Sequence, residues 1–252
     1  MIKNNTFHFS VDDVFESLIE VTDKNIKLQN HWFFKQLYYL WKKYRIKTCC
    51  NLFYEGKVNG KVRSLKDIKS IKDEIKNGWI FFGPHALNKK TPPFSQNKVN
   101  QIKTFNRIYE EINRFAGKKS ISNYVRLHYY SESYELSKYW KSKGVRGLFS
   151  TDRSIGSHRM SKKIGESLLK NGHVNYKNLN FFRTDFRIEW LSRIKENKNQ
   201  KIEKMFKKKV DQKNYIVIYS HENELRLKKN KICLITSAEL LTKKLSLSCL
   251  KP

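Results

Sequence analysis

Histidines and aspartates gather where apolar runs stop. Phe7-His8-Phe9-Ser10-Val11 leads straight into Asp12-Asp13. Trp79-Ile80-Phe81-Phe82-Gly83-Pro84 leads into His85, Val125-Arg126-Leu127 into His128, and Tyr215-Ile216-Val217-Ile218-Tyr219-Ser220 into His221. Short apolar runs read as buried strands, and α/β folds place their chemistry at the C-terminal ends of strands. Neighbours on an extended chain point to opposite sides, so Asp12 and Asp13 are expected to hold two jobs, one ligating a metal and one handling a proton. A single Asp there would read most simply as a helix cap, since a helical pattern follows at once. Neutral imidazole plus carboxylate is the donor set of a divalent ion, zinc above all, with a coordination position left open. One histidine of this kind is more often a satisfied core side chain than a ligand; three in equivalent positions make a stronger case.

Something must position these groups, and the rest of the chain supplies it. Strand patterns are expected over 3–11, 48–54, 79–82, 124–130, 145–150, 215–219 and 232–236, with 181–188 a strand or an active-site loop. Helical patterns are expected over 14–22, 32–44, 65–77, 98–115, 132–143, 190–209 and 237–245. In 98–115, Ile102, Phe105, Ile108, Tyr109, Ile112 and Phe115 fall on one face. Alternation of this kind predicts an α/β fold of parallel strands, in a barrel or a wound sheet. A barrel brings all strand C-termini to one rim, so residues distant in sequence converge. No linker interrupts the pattern, and a single domain over 1–252 is expected.

Composition adds a constraint on partners. The 252 residues carry 52 Lys+Arg against 23 Asp+Glu, a net charge of +29. That excess suits a polyanion: nucleic acid, anionic lipid or acidic glycan. It is mainly Lys, accompanied by many Asn and Ile, a bias that AT-rich coding produces without selection for binding. Hydrophobic residues at 39% exclude a disordered chain. No run approaches the ~18 apolar residues of a membrane span, and Met1-Ile2-Lys3-Asn4-Asn5 has no apolar leader. Cys49, Cys50, Cys233 and Cys249 show neither metal spacing nor a disulfide framework. A cytoplasmic protein is expected.

The ordered motifs resemble those of the polysaccharide deacetylase superfamily. Phe-Ser-Val-Asp12-Asp13-Val looks like its first motif, Thr-Phe-Asp-Asp-Gly. Gly83-Pro84-His85-Ala86 is similar to the second, Val125-Arg126-Leu127-His128-Tyr129 to the third (Arg-x-Pro-Tyr), and Tyr219-Ser220-His221-Glu222 to the last. The resemblance implies a distorted (β/α) barrel of about seven parallel strands. It implies Asp12 as general base, Arg126 as the residue that orients it, His221 as general acid, and Asp13 and His85 as metal ligands. The family's second motif continues to another His, where this chain has Lys89, a poor ligand because it must first lose a proton. His128 stands where the family has Pro, and is expected to complete the metal site instead. The implied reaction is metal-dependent removal of an acetyl group from an N-acetylated sugar or a similar C–N amide. Without an export signal, the expected substrate is a nucleotide- or lipid-linked precursor for surface glycan, with possible contact to an anionic membrane.

Arg183-Thr184-Asp185-Phe186-Arg187-Ile188-Glu189 is a second dense cluster. Arg183, Asp185 and Arg187 on one extended face could hold an anionic substrate group, or could form a surface salt-bridge ladder. Asp152 could orient His221 or Arg126, or cap the loop after it. The competing function is a non-catalytic basic module for nucleic acid or acidic glycan, with lysines on phosphates and some of the 13 tyrosines stacking on bases. The ionisable residues at strand ends stand apart from the lysine clusters, which favours the hydrolase.

Overall fold

The structure is a computed structural model that describes residues 5–131, 134–151 and 160–252. Its strands are β1 (Thr6–Val14), β2 (Thr48–Phe53), the pair β3 (Glu55–Val58) and β4 (Lys61–Ser64), β5 (Ile80–Ala86), β6 (Tyr124–Arg126), β7 (Gly147–Ser150), β8 (His173–Tyr176), β9 (Leu179–Arg183), β10 (Phe186–Arg187), β11 (Tyr215–His221) and β12 (Ser248–Cys249). Its helices are α1 (Glu16–Lys24), α2 (Trp32–Tyr44), α3 (Lys72–Ile75), α4 (Lys98–Phe115), α5 (Ser137–Ser142), α6 (Lys162–Asn171), α7 (Ile188–Leu191), α8 (Lys198–Lys213) and α9 (Lys228–Glu239).

The fold is mixed α/β with parallel strands at its centre. One ladder runs β10-β11-β1-β2-β5 and a second runs β6-β7-β9, all parallel. The ladders do not form one continuous closed ring. They adjoin where Phe82 bridges Ile121 and where β9 runs through Thr184 and Asp185 into β10. Counting β9 and β10 as one path gives seven parallel strands, in line with the expected number, and the two-residue β12 pairs parallel with the start of β1 beside them. Two antiparallel pairs decorate them: β3 with β4, directly after β2, and β8 with β9. Among the described residues no helix is long and apolar enough to cross a membrane.

Strand alternation sorts the core into two parts. Phe7, Phe9 and Val11 of β1 belong to the large cluster between strands and helices. Tyr124, Phe149, Phe182 and Val217, from β6, β7, β9 and β11, pack on one another in a separate inner cluster. His8 of β1 joins them, its ring 4.2 Å from that of Phe149. Two residues further up, the inner side chains turn polar at Arg126 on β6, Thr184 after β9 and Tyr219 on β11, and Asp12 on β1 follows four residues beyond His8. A period of two along parallel strands thus stacks an aromatic floor beneath a polar layer.

The structure departs from the sequence pattern in several places. Residues 232–236 are not a strand; they lie inside α9, whose isoleucines Ile232 and Ile235 face solvent while Cys233 and Leu234 are buried. The expected helix over 65–77 is a short 3-10 turn followed by α3. The strand over 124–130 stops at Arg126, and His128 begins a tight turn. β5 instead runs on through Gly83-Pro84-His85. Pro84 is tolerated because β5 is the last strand of its ladder, where a missing N–H leaves no break in the sheet.

Candidate functional site

Asp12 and Asp13 end β1, and both carboxylates line one cavity of about 180 Å³. Strict alternation forbids this. Asp13 escapes it by adopting φ +61°, in the left-handed region that Asp tolerates better than most residues. The pairing of β1 with β2 slips between Val11 and Val14 as a result. The expectation of two faces is corrected here, while the division into two jobs survives in the contacts each acid makes.

Asp13 Oδ1 lies 3.1 Å from His85 Nε2 and 3.4 Å from His128 Nδ1, and the two imidazole nitrogens are 3.2 Å apart. One donor atom from each of the three residues falls within 4.8 Å of the others. The far nitrogens settle the protons. His85 Nδ1 is 2.7 Å from the carbonyl oxygen of Arg126, and His128 Nε2 is 3.1 Å from that of Lys89. A carbonyl only accepts, so each far nitrogen carries the hydrogen and donates it. In the neutral rings the inner nitrogens then present bare lone pairs to each other and to a carboxylate. Three lone pairs at such distances repel unless a cation stands among them, and backbone carbonyls that fix ring tautomers are the usual support of metal-ligating histidines. The donor set fits a divalent ion with an open position. Burial would raise the Asp13 carboxyl, but the two imidazoles beside it and the charge of His221 outweigh burial and hold it well below the usual carboxylate range.

Asp12 faces different neighbours. Its Oδ1 accepts from Asn51 Nδ2 at 2.7 Å, and its Oδ2 is 3.2 Å from Arg126 Nε. Arg126 is buried; it donates to the Thr184 hydroxyl and stacks 4.2 Å from the Tyr219 ring centre. The ion pair stands without a well-aligned Nε–H bond, since Arg126 Nε and Nη2 make no hydrogen bond among the described residues.

His221 sits opposite Asp12 in the β1–β11 register. Its Nδ1 is 3.4 Å from Glu189 Oε1, which also accepts from the Ser220 hydroxyl at 2.7 Å and the His221 N–H at 2.8 Å. Burial disfavours the imidazolium, but Glu189, Asp12 and Asp13 outweigh it, so the ring's pKa rises above its ordinary value. Glu189 shifts the opposite way: burial would raise it, and the bond and charge of His221, with the donors of Ser220 and the His221 backbone, pull it down.

Of the expected substrate residues, only Arg187 reaches this cavity, where its Nη2 donates to Tyr130 Oη at 2.9 Å. Arg183 turns away and donates to the carbonyl of Leu169 at the end of α6. Asp185 is buried against Lys213 Nζ at 2.9 Å and accepts from the Val217 N–H. The chain turns at Thr184, so the three side chains never share one extended face. His8 lies on the same side of β1 as Asp12 but two layers down. Burial first, and then the Arg126 charge, holds it well below the ordinary histidine range. Asp152 lies outside the described residues.

Sequence reasoning missed Asn51 and Glu189. Asn51 was visible as the one amide in the apolar run Thr-Cys-Cys-Asn-Leu-Phe, fully buried in β2. Glu189 lies in the first turn of α7, which follows β10 directly, the same strand-to-helix signal that marked Asp12 and Asp13.

The sequence matches no family profile and no curated protein. Solved structures do match. The Bc1960 peptidoglycan N-acetylglucosamine deacetylase is 12% identical with a TM-score of 0.52, covering 98% of this chain and 86% of that one. The catalytic domain of a peptidoglycan N-acetylglucosamine deacetylase from Eubacterium rectale is 11% identical with a TM-score of 0.50, over 99% of this chain and 89% of that one. A 4-alpha-glucanotransferase from Thermococcus litoralis reaches a TM-score of 0.58 at 12% identity, this chain spanning 37% of its length. At such identities the likeness is one of fold: the chain shares the architecture of these proteins.

Proposed function

We propose that this protein is a metal-dependent hydrolase that removes the acetyl group from an N-acetylated sugar, in the assembly of a surface glycan. One observation carries the reading: Asp13 Oδ1, His85 Nε2 and His128 Nδ1 converge with their lone pairs inward, each ring locked by a carbonyl bond. Those three would hold the ion, zinc in the first instance. When bound, such an ion supplies Lewis acidity toward an acyl oxygen and acidifies water.

The chain's own groups carry the protons. Asp12 accepts one from the attacking water, its carboxylate held by Asn51 and by the charge of Arg126. His221, kept protonated by Glu189, delivers one to the departing amine in the same cavity. Asp12 and His221 thus differ in their neighbours as a base and an acid must. Lys89 in place of a second motif histidine does not remove a ligand, because His128 supplies the third donor.

The test is acetate release from N-acetylglucosamine oligomers by zinc-loaded protein. Chelation is expected to abolish turnover and zinc to restore it. Asp12→Asn should lose roughly 10²–10⁴-fold in kcat while retaining metal. Undiminished turnover by Asp13→Ala rejects the reading.

A further inference from the structure

Three cavities meet at Lys89. The first, about 180 Å³, holds Asp12, Asp13 and His221. A second, about 270 Å³, shares Asp13 and Lys89 with it and runs past Phe15 and Phe53 on the opposite side. A third, about 430 Å³, shares Glu55, Gly56, Lys57 and Lys89 with the second and extends to Lys90. Together they form a groove that leaves the candidate metal ligands and passes under the β3–β4 hairpin.

Charge is distributed unevenly along this groove. Its acids are already engaged: Glu222 accepts from the Phe15 and Ser17 N–H groups, Glu55 from Asn88, and Glu16 lies 4.0 Å from Arg226. Lys57, Lys89 and Lys90 are exposed, and none forms an ion pair among the described residues. Lysines lining one cleft repel one another, and an anionic ligand relieves that repulsion. Lysine is a compact point charge well suited to phosphate. Lys89 is singular among them, since its carbonyl is committed to His128 while its side chain is left to the groove.

We infer that Lys57, Lys89 and Lys90 form an anion subsite that seats the diphosphate of a diphosphate-linked N-acetyl sugar, with the acetamido group at Asp13. This rests on the deacetylase reading and specifies its substrate class. Nucleotide and polyprenyl carriers share this diphosphate chemistry.

The experiment compares three compounds on zinc-loaded protein: UDP-N-acetylglucosamine, farnesyl-diphospho-N-acetylglucosamine and neutral diacetylchitobiose. Binding is read by calorimetry and, where turnover occurs, kcat/KM by acetate release. Each exposed lysine–phosphate contact is worth a few-fold. The variant Lys57→Gln/Lys89→Gln/Lys90→Gln should therefore lower the preference for diphosphate over neutral sugar by roughly tenfold or more, and the wild-type preference should fall with added salt. Loss with both diphosphates identifies the diphosphate itself as what is read; loss with one alone supports the subsite and names its carrier. An unchanged preference overturns it. Should no compound turn over, calorimetry still decides the subsite, so its failure and that of the deacetylase reading are distinguishable.

Discussion

Zinc should stabilise this protein through Asp13, and the size of the effect follows from the site. At a free metal concentration one hundred times Kd, binding to the folded state alone adds about 2.7 kcal/mol. For a chain of 252 residues, 1 kcal/mol moves Tm by roughly 2–4 °C, so the wild type should gain roughly 5–11 °C. Removing even an outer partner of a ligand weakens metal affinity roughly 10- to 100-fold. Asp13 would be a direct donor and the only charged one of the three, so Asp13→Ala should lose about 100-fold or more. At the same metal concentration its gain shrinks to about 0.4 kcal/mol, or roughly 1–2 °C. Lys89→Ala is the control: its carbonyl remains, so His128 stays oriented and the full shift is expected. Differential scanning calorimetry with and without zinc, after exhaustive chelation, measures all three. Equal shifts in wild type and Asp13→Ala would refute the metal argument, as would a Lys89→Ala variant that behaves like Asp13→Ala.

Three other outcomes are expected. Glu189→Gln removes the partner that keeps His221 protonated, so the limb of the pH–rate profile where activity falls with rising pH should move to lower pH, with kcat at pH 7 down roughly tenfold or more. Glu222 is buried and its pKa is raised to about 7 by burial, partly offset by the Ser17 and Phe15 donors. A folded-state pKa above the unfolded one gives stability that is lost as pH rises, here between about 4.5 and 7 and by up to about 3 kcal/mol, and Glu222→Gln should flatten that decline in a Tm series. At Gly147, an added Cβ would stand 2.4 Å from the Phe182 ring and 3.3 Å from the Asn180 carbonyl oxygen. Gly147→Ala should therefore cost about 1–3 kcal/mol in denaturant unfolding, and no loss would mean the inner aromatic floor is looser than described.

Much of the frame was legible because its signals are local. Phe7 through Val11, Ile216 through Tyr219, and the helix over 32–44 carry periodicities that tertiary contacts reinforce. Residues 232–236 misled because a short apolar run fits a buried helix as well as a strand, and only packing against the parallel strands decides. The shared cavity of Asp12 and Asp13 was hidden by a single backbone angle, which composition does not encode. Glu189 was read as the end of a charged ladder, since its meaning comes from the register that sets Arg187 beside Tyr219 and so brings α7 level with His221. Arg183 and Asp185 had the right chemistry but the wrong orientation, fixed by the turn at Thr184.

The support that His128 takes from residue 89 is a main-chain oxygen. Every amino acid offers that oxygen, so substitution at this position leaves the prop intact. Comparisons that score side chains for ligating power count position 89 as a defect, though the backbone there still serves. Relatives of this protein are therefore better sought by a histidine two residues after the Arg126 position than by a second histidine four residues after His85.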